Sequence, residues 1–357
     1  MKKFCVFCGK PPTNKSKEHI IPLWLIELTG DPSRKARFGY DIENNSLREY
    51  SFNSFTFPSC GECNNNLSEL EEKARQITNR ILNYEIIYTD DLILFLDWFD
   101  KIRTGLWLAF YYLNKDICSI EPKFYINNRM RAHDRCLIIY KNNDYGRGLN
   151  FYGTETPIFQ YMPSCFSLRI NNFYFLNISK ELVCSKKLGF PYIEKIISYD
   201  RNTHGYVLKE GSNEIDYPIL EEELLKGSIE VYQPIFDLKM FSKYNKKLYD
   251  LYNKKHISDN AFDSEKGIGV IFYVVDGVIK TMANKKSEVK LDPNEASLEE
   301  ILPLTYKMQN ALYEENYNIS DKSLLTQEMR KSLKGQKEMA IETNKAIIEK
   351  IEEGLFL

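Results

Sequence analysis

"PSCGECNNNLSELE", residues 58–71, joins a tight cysteine pair to text with helical spacing. Cys60 and Cys63 stand two residues apart, and a second pair, Cys5 and Cys8, lies 51 residues upstream. A two-residue spacer lets both thiolates of a turn point at one ion while backbone N–H groups donate to the sulfurs. Gly9, directly after Cys8, suits such a turn. Two pairs in one chain match tetrahedral Zn²⁺ ligation by Cys5, Cys8, Cys60 and Cys63. Four thiolates leave no open position, so the zinc is expected to be structural. The other four cysteines (Cys118, Cys136, Cys165, Cys184) are scattered, as packing cysteines are. Beyond the second pair, Leu67, Leu70, Ala74, Ile77 and Ile81 recur at three- and four-residue steps, which predicts an amphipathic helix. Glu69, Glu71 and Glu72 suit its first turn.

Working outward, the chain divides into three zones. Residues 90–115 form a second helical run, "DDLILFLDWFDKIRTGLWLAFYYLN", so strongly apolar that most of its faces are expected to be buried, and read as a core helix. From about 120 to 285 the text is strand-like: "RCLIIYK", "GLNFYG", "CFSLRINNFYFLNIS" and "GVIFYVVDGVIKTM". Asn171-Asn172 and Asp276-Gly277 are the two-residue signals of hairpins. Helical text interrupts this zone at "DYPILEEELLKG" and "FDLKMFSKYNKKLYDLYNKK", and returns after 296 as one or two amphipathic helices. The expected class is α+β: a small N-terminal zinc module over 1–80, then a larger mixed α/β-type domain over 81–357 with antiparallel strands and a helical C-terminus. Residues 285–297 are the expected connector.

Composition narrows the function classes. The chain of 357 residues carries 48 Lys+Arg and 50 Asp+Glu, a formal charge of −2, so no global basic surface argues for nucleic acid. The first forty residues differ, with eight basic against three acidic side chains. That end is expected to face an anion. No apolar leader follows Met1 and no run is long enough to span a membrane, so the expected location is cytoplasmic, where paired cysteines hold metal rather than disulfides.

Between the cysteine pairs lies "KEHIIPLWL", residues 17–25. The order Cys-x2-Cys, Glu-His-Ile-Ile-Pro, Cys-x2-Cys-Asn resembles the HNH endonucleases, the ββα-metal or His-Me finger nucleases, in their zinc-stabilised branch. The resemblance covers about residues 5–75. It implies that His19 is the general base that takes a proton from the attacking water. It places Glu18 and Asn64 as oxygen ligands of a catalytic Mg²⁺ or Mn²⁺, and an asparagine as the residue that orients the base. Asn53 and Asn45 both qualify for that last role, and Asn53, closer to the second pair, is preferred. The sequence departs from many members in having asparagines, not histidine, at the helix position. The stretch 17–25 is expected to be the module's first strand, with Ile20, Ile21, Leu23 and Trp24 packing behind His19. Glu71, two helical turns from Asn64, either joins Asn64 on one face or is a solvated acid or a partner of Lys17 or Arg75.

Lys15, Lys17, Arg34, Lys35 and Arg37 are candidates for neutralising phosphates. "RMRAHDRC", residues 129–136, is either a second phosphate contact or, the better reading, a solvated loop. The resemblance implies a phosphodiester hydrolase with nucleic acid, DNA above all, as partner. Similar modules sit in bacterial antiviral defence and mobile-element proteins, so residues 81–357 are expected to bind substrate, a regulatory protein or a small-molecule activator. The alternative is a non-catalytic zinc module that binds nucleic acid or protein.

Overall fold

The computed structural model describes residues 3–41, 46–52, 55–113, 122–143, 146–181, 183–188, 193–200, 205–210, 225–235, 267–282, 286–320, 322–323 and 325–355. Its N-terminal part is a strand ribbon followed by a helix. Strand β1 (Lys15–His19) pairs antiparallel with β4 (Thr56–Cys60), setting Lys15 opposite Cys60 and His19 opposite Thr56. Helix α2 (Gly61–Leu82) starts on the next residue, so Cys63 sits in its first turn. Between the ribbon strands lie a short helix, α1 (Leu23–Leu28), and a separate ribbon of β2 (Lys35–Asp41) and β3 (Ser46–Ser51).

Two expectations change here. The stretch 17–25 is not one strand: β1 stops at His19 and Pro22, with φ −67°, caps α1. The proline ring cannot donate to a ladder but is pre-set for a helix start. Ile20 and Ile21 are buried as expected, whereas Leu23, on α1, is exposed. The acids Glu69, Glu71 and Glu72 lie mid-helix because α2 begins at Gly61, which makes Glu62 its first-turn acid.

After β5 (Ile86–Tyr88), helix α3 (Thr89–Leu113) is buried at every residue from Phe95 to Phe110, as its apolar text requires. The short α4 (Ile126–Arg129) leads into an antiparallel sheet. Its strands are β6 (Arg135–Asn142), β7 (Leu149–Tyr152), β8 (Cys165–Ile170), β9 (Phe173–Ser179), β12 (Ile229–Gln233), β13 (Ile271–Val275) and β14 (Val278–Met282), in the order β14-β13-β12-β6-β9-β8-β7. α5 (Pro157–Tyr161) precedes β8, and α6 (Val183–Leu188) follows β9. β10 (Ile193–Asp200) and β11 (Gly205–Glu210) form their own ribbon. Both predicted hairpins are present: Asn171 turns β8 into β9 at φ +56°, and Asp276-Gly277 turns β13 into β14 at φ +48° and +75°. The helical text at 216–224 and 236–255 lies outside the described residues.

The stretch 285–297 is pinned rather than a free connector. Its β15 (Glu288–Lys290) pairs with β5, and its β16 (Glu295–Ala296) runs parallel to the end of β6. Helices α7 (Leu298–Ile319) and α8 (Gln327–Glu352) close the chain, α7 opening on a capping box of Ser297 and Glu300.

Strand alternation divides the core. Leu137 and Ile139 of β6, with Phe175 of β9 and Val231 of β12, pack in one cluster with α3. Cys136, Ile138 and Tyr140, with Leu176 and Tyr232, pack in another with Leu302, Tyr306 and Ile348 of the C-terminal helices. The first cluster continues through Val6, Phe7, Ile20, Ile21 and Phe57, so α3 has the sheet on one side and the cysteine-bearing ribbon on the other. Gly105 makes the close approach possible. A Cβ there would lie 2.7 Å from the Ile20 side chain. Among the described residues no helix is long and apolar enough to cross a membrane.

Candidate functional site

The sulfurs of Cys5, Cys8, Cys60 and Cys63 all lie within 4.8 Å of one another, close enough to hold a metal ion such as zinc. The local backbone suits thiolates. Cys60 N donates to Cys5 Sγ at 3.3 Å and Thr13 N donates to Cys60 Sγ at 3.4 Å. Hydrogen bonding by Thr13, from its side chain first and then its backbone, brings the Cys60 thiol down to about 7. Burial and the neighbouring sulfurs push Cys63 up to about 12. Such a crowd of sulfurs is stable as thiolates only around a cation. Gly9 adopts φ +75°, with the Tyr125 ring so close that no side chain fits there. Elsewhere, Cys136, Cys165 and Cys184 are buried thiols, and Cys118 lies outside the described residues.

Beside this cluster a cleft of about 350 Å³ opens between the end of β1 and α2. Alternation along β1 decides what faces it. Ser16 and Glu18 turn inward to the helices, while Lys15, Lys17 and His19 lie on the other face. His19, at the strand end, still lines the cleft, together with Asn64, Asn65 and Glu71. Its Nδ1 is buried and has no hydrogen-bond partner among the described residues. Burial first, then the charges of Lys101 and Lys17, hold its pKa below the ordinary 6.5, so the ring is neutral at pH 7. Asn64 donates from Nδ2 to Ser16 Oγ at 3.0 Å, which ties α2 to β1.

The cleft floor holds a residue that reading the sequence missed. Lys101, from the middle of α3, is 1% exposed and bridges two carboxylates. Its Nζ lies 2.5 Å from Glu18 Oε1 and bonds Glu71 Oε1. Glu71 Oε2 accepts from Trp24 Nε1 at 3.2 Å and from Trp98 Nε1 at 3.3 Å. Burial raises the Glu18 pKa despite Lys101, and the Glu71 charge adds to the rise. Burial alone would lower Lys101, but Glu71 and Glu18 outweigh it and hold the ammonium charged. A signal for Lys101 was present: "DWFDKIR" sets four charges in an otherwise apolar helix, and charges buried there must be paired.

His19, Glu18, Asn64 and Glu71 share one cleft. Glu71 faces it with Asn64, and its cation is Lys101, neither Lys17 nor Arg75; Arg75 sits 3.8 Å from Glu72. Asn53 and Asn45 lie outside the described residues. A divalent ion fits this arrangement poorly. The Glu18 and Glu71 carboxylates are committed to Lys101, which leaves a neutral imidazole, amide groups and one exposed acid, Glu72, itself 3.8 Å from Arg75, a weak set for a hard ion. Glu18 is thus the counter-ion of Lys101 rather than a free ligand.

The basic candidates also divide. Lys15 and Lys17 are exposed, and Lys35 pairs with Glu49 at 3.0 Å. Arg34 folds back to donate to Ile26 O, Asp31 O and Thr29 Oγ1, closing the end of α1. The Arg37 side chain lies outside the described residues. "RMRAHDRC" is not the solvated loop expected of it. Arg131 and Arg135 both bind Asp97, and Arg129 contacts His133, whose pKa burial brings down to about 4. Comparison adds no relative: no family model matches the chain, and no curated protein or solved structure matches it.

Proposed function

We propose that this chain hydrolyses phosphodiester bonds of nucleic acid, DNA first, as an HNH-type endonuclease with His19 as general base. One observation carries the reading. A neutral histidine with an unpartnered buried nitrogen stands at the mouth of a cleft, on a strand whose pairing partner ends in the cysteine cluster. A base must be unprotonated and held in place, and burial with two neighbouring ammonium groups keeps His19 so. In this reading His19 takes the proton of the attacking water, and Asn64, fixed to Ser16, borders the phosphate. Glu18 and Glu71 stay paired with Lys101, so no step is assigned to a divalent ion. Residues 81–357, beyond providing α3, are read as a regulatory or partner-binding part, an argument from analogy alone.

The Lys101 bridge favours a second reading, in which the module binds nucleic acid or protein without cutting, since the carboxylates are already neutralised. Incubation with plasmid DNA and with structured RNA, in Mg²⁺, Mn²⁺ or EDTA, separates the two. The nuclease reading expects wild-type cleavage and a loss of roughly 10²-fold or more in His19→Ala. Undiminished cleavage by the variant removes His19 from the mechanism. A wild type inert in every condition supports the binding module.

A further inference from the structure

A second, larger cavity lies on the outer face of the same ribbon. It has a volume of about 860 Å³, and Lys17 lines both it and the His19 cleft. Lys3 and Lys15 complete a trio of lysines along it, walled by Pro11, Pro12 and Pro58. No carboxylate lines this cavity, and none of the three lysines has an ion-pair partner among the described residues. Some lysines elsewhere meet acids, as Lys345 does at Glu342 and Lys337 at Glu314, whereas these three gather along one cavity with no acid on its walls.

The placement has a period. Lys15, Lys17 and His19 are alternate residues of one strand, so they project from one face about 6.8 Å apart. One nucleotide of extended backbone covers a similar length. The strand is held in register, because Lys15 lies opposite Cys60 and Lys17 opposite Pro58. A row of unpaired cations at this spacing, ending on a neutral histidine, is complementary to a chain with one anion per repeat. An acidic peptide matches that repeat only when it is held as an extended strand, whereas a sugar-phosphate backbone carries one anion at every repeat, and the cavity's size suits a few nucleotides of one strand rather than a duplex.

We propose that this groove is the path of one unpaired nucleic-acid strand, whose successive phosphates rest on Lys3, Lys15 and Lys17 and lead to His19. The direction of travel rests on the nuclease reading, and the binding itself does not. The test is fluorescence anisotropy with a labelled twelve-nucleotide oligo-dT in EDTA, across a salt series, using the full chain. Wild type is expected to bind. Lys15→Gln/Lys17→Gln should bind roughly tenfold more weakly at low salt, with a log K against log salt slope shallower by about 0.7 per lysine removed. Lys3→Gln should add a further loss of the same kind. Lys280→Gln/Lys331→Gln, two exposed lysines far along the chain, should bind as wild type does. The proposal is overturned if wild type does not bind, if the Lys15/Lys17 variant keeps wild-type affinity and slope, if a duplex of the same length binds more tightly, or if poly-glutamate competes as well as oligo-dT. Cleavage that survives in the lysine variants with unchanged KM would leave the nuclease reading standing and remove the groove. Binding without cleavage would do the reverse.

Discussion

Helix α3 carries two buried ion clusters less than two turns apart, and their chemistry runs in opposite directions. At one, Asp97 accepts from Arg131 and Arg135, and Asp100 pairs with Arg103 and Arg135, so three guanidinium groups serve two carboxylates. At the other, the single ammonium of Lys101 serves Glu18 and Glu71. Burial opposes ionisation in both. At Asp97 the arginines overcome it and the pKa falls, whereas at Glu18 the lone lysine does not and the pKa rises. The ratio of cations to anions, not burial, separates a cluster that braces the core from one with unmet demand for positive charge. The surplus of cation lies between α3 and the sheet. The deficit lies in the cleft beside His19.

If that distinction is right, the bracing cluster should be the costlier to break. Asp97→Asn keeps the volume but leaves Arg135, fully buried, with Asp100 at 3.5 Å and Gln233. The expected loss is ~3–5 kcal/mol in urea unfolding, the cost of stranding a buried charge. A loss under ~1 kcal/mol would erase the contrast. Lys101→Met strands two carboxylates instead, yet the cleft admits water and ions to Glu71, which is 18% exposed. The expected loss is smaller, ~1–3 kcal/mol. Millimolar Mn²⁺ should raise the melting temperature of Lys101→Met by more than it raises that of wild type, because a cation can enter where the ammonium was. Equal shifts in both proteins would show that the cleft has no deficit to fill.

How legible this was depends on the range of the interactions. The hairpins at Asn171-Asn172 and Asp276-Gly277 are local turn chemistry, and the reading of the text matched them. The convergence of four cysteines was readable because each pair is local and only one ion geometry joins them. The end of β1 was misread by a few residues, since an apolar run broken by proline looks like a strand until the proline is taken as a helix start. That Lys101 must be paired was legible, but its partners were not. Its partners are 83 and 30 residues away, and nothing near it in the chain states which acids it meets. The arginines of "RMRAHDRC" failed likewise: Arg131 and Arg135 meet Asp97 on α3, so a charged stretch that reads as solvated is tied to the core, and Arg135 is fully buried.

The smallest effect concerns acid and base. His19 works as a base only when neutral, so activity is expected to fall as pH drops through its pKa. Burial, Lys101 and Lys17 all press that pKa below 6.5, so the acid limb of kcat/KM should lie below the ordinary histidine value. The two lysines act by charge, and removing either should move the limb upward. Lys17 is exposed and screened, so Lys17→Gln should move it slightly. Lys101 is buried and exerts the larger influence, so Lys101→Met should move it further in the same direction. Because kcat/KM reports the free protein, weaker strand binding in Lys17→Gln lowers the height of the profile without shifting its limb. A limb at or above 6.5 in wild type, or one that stays put in both variants, would mean that the titrating group is not His19. A limb that moves only in Lys101→Met would place the controlling charge in the cleft floor and leave the outer row of lysines to the strand alone.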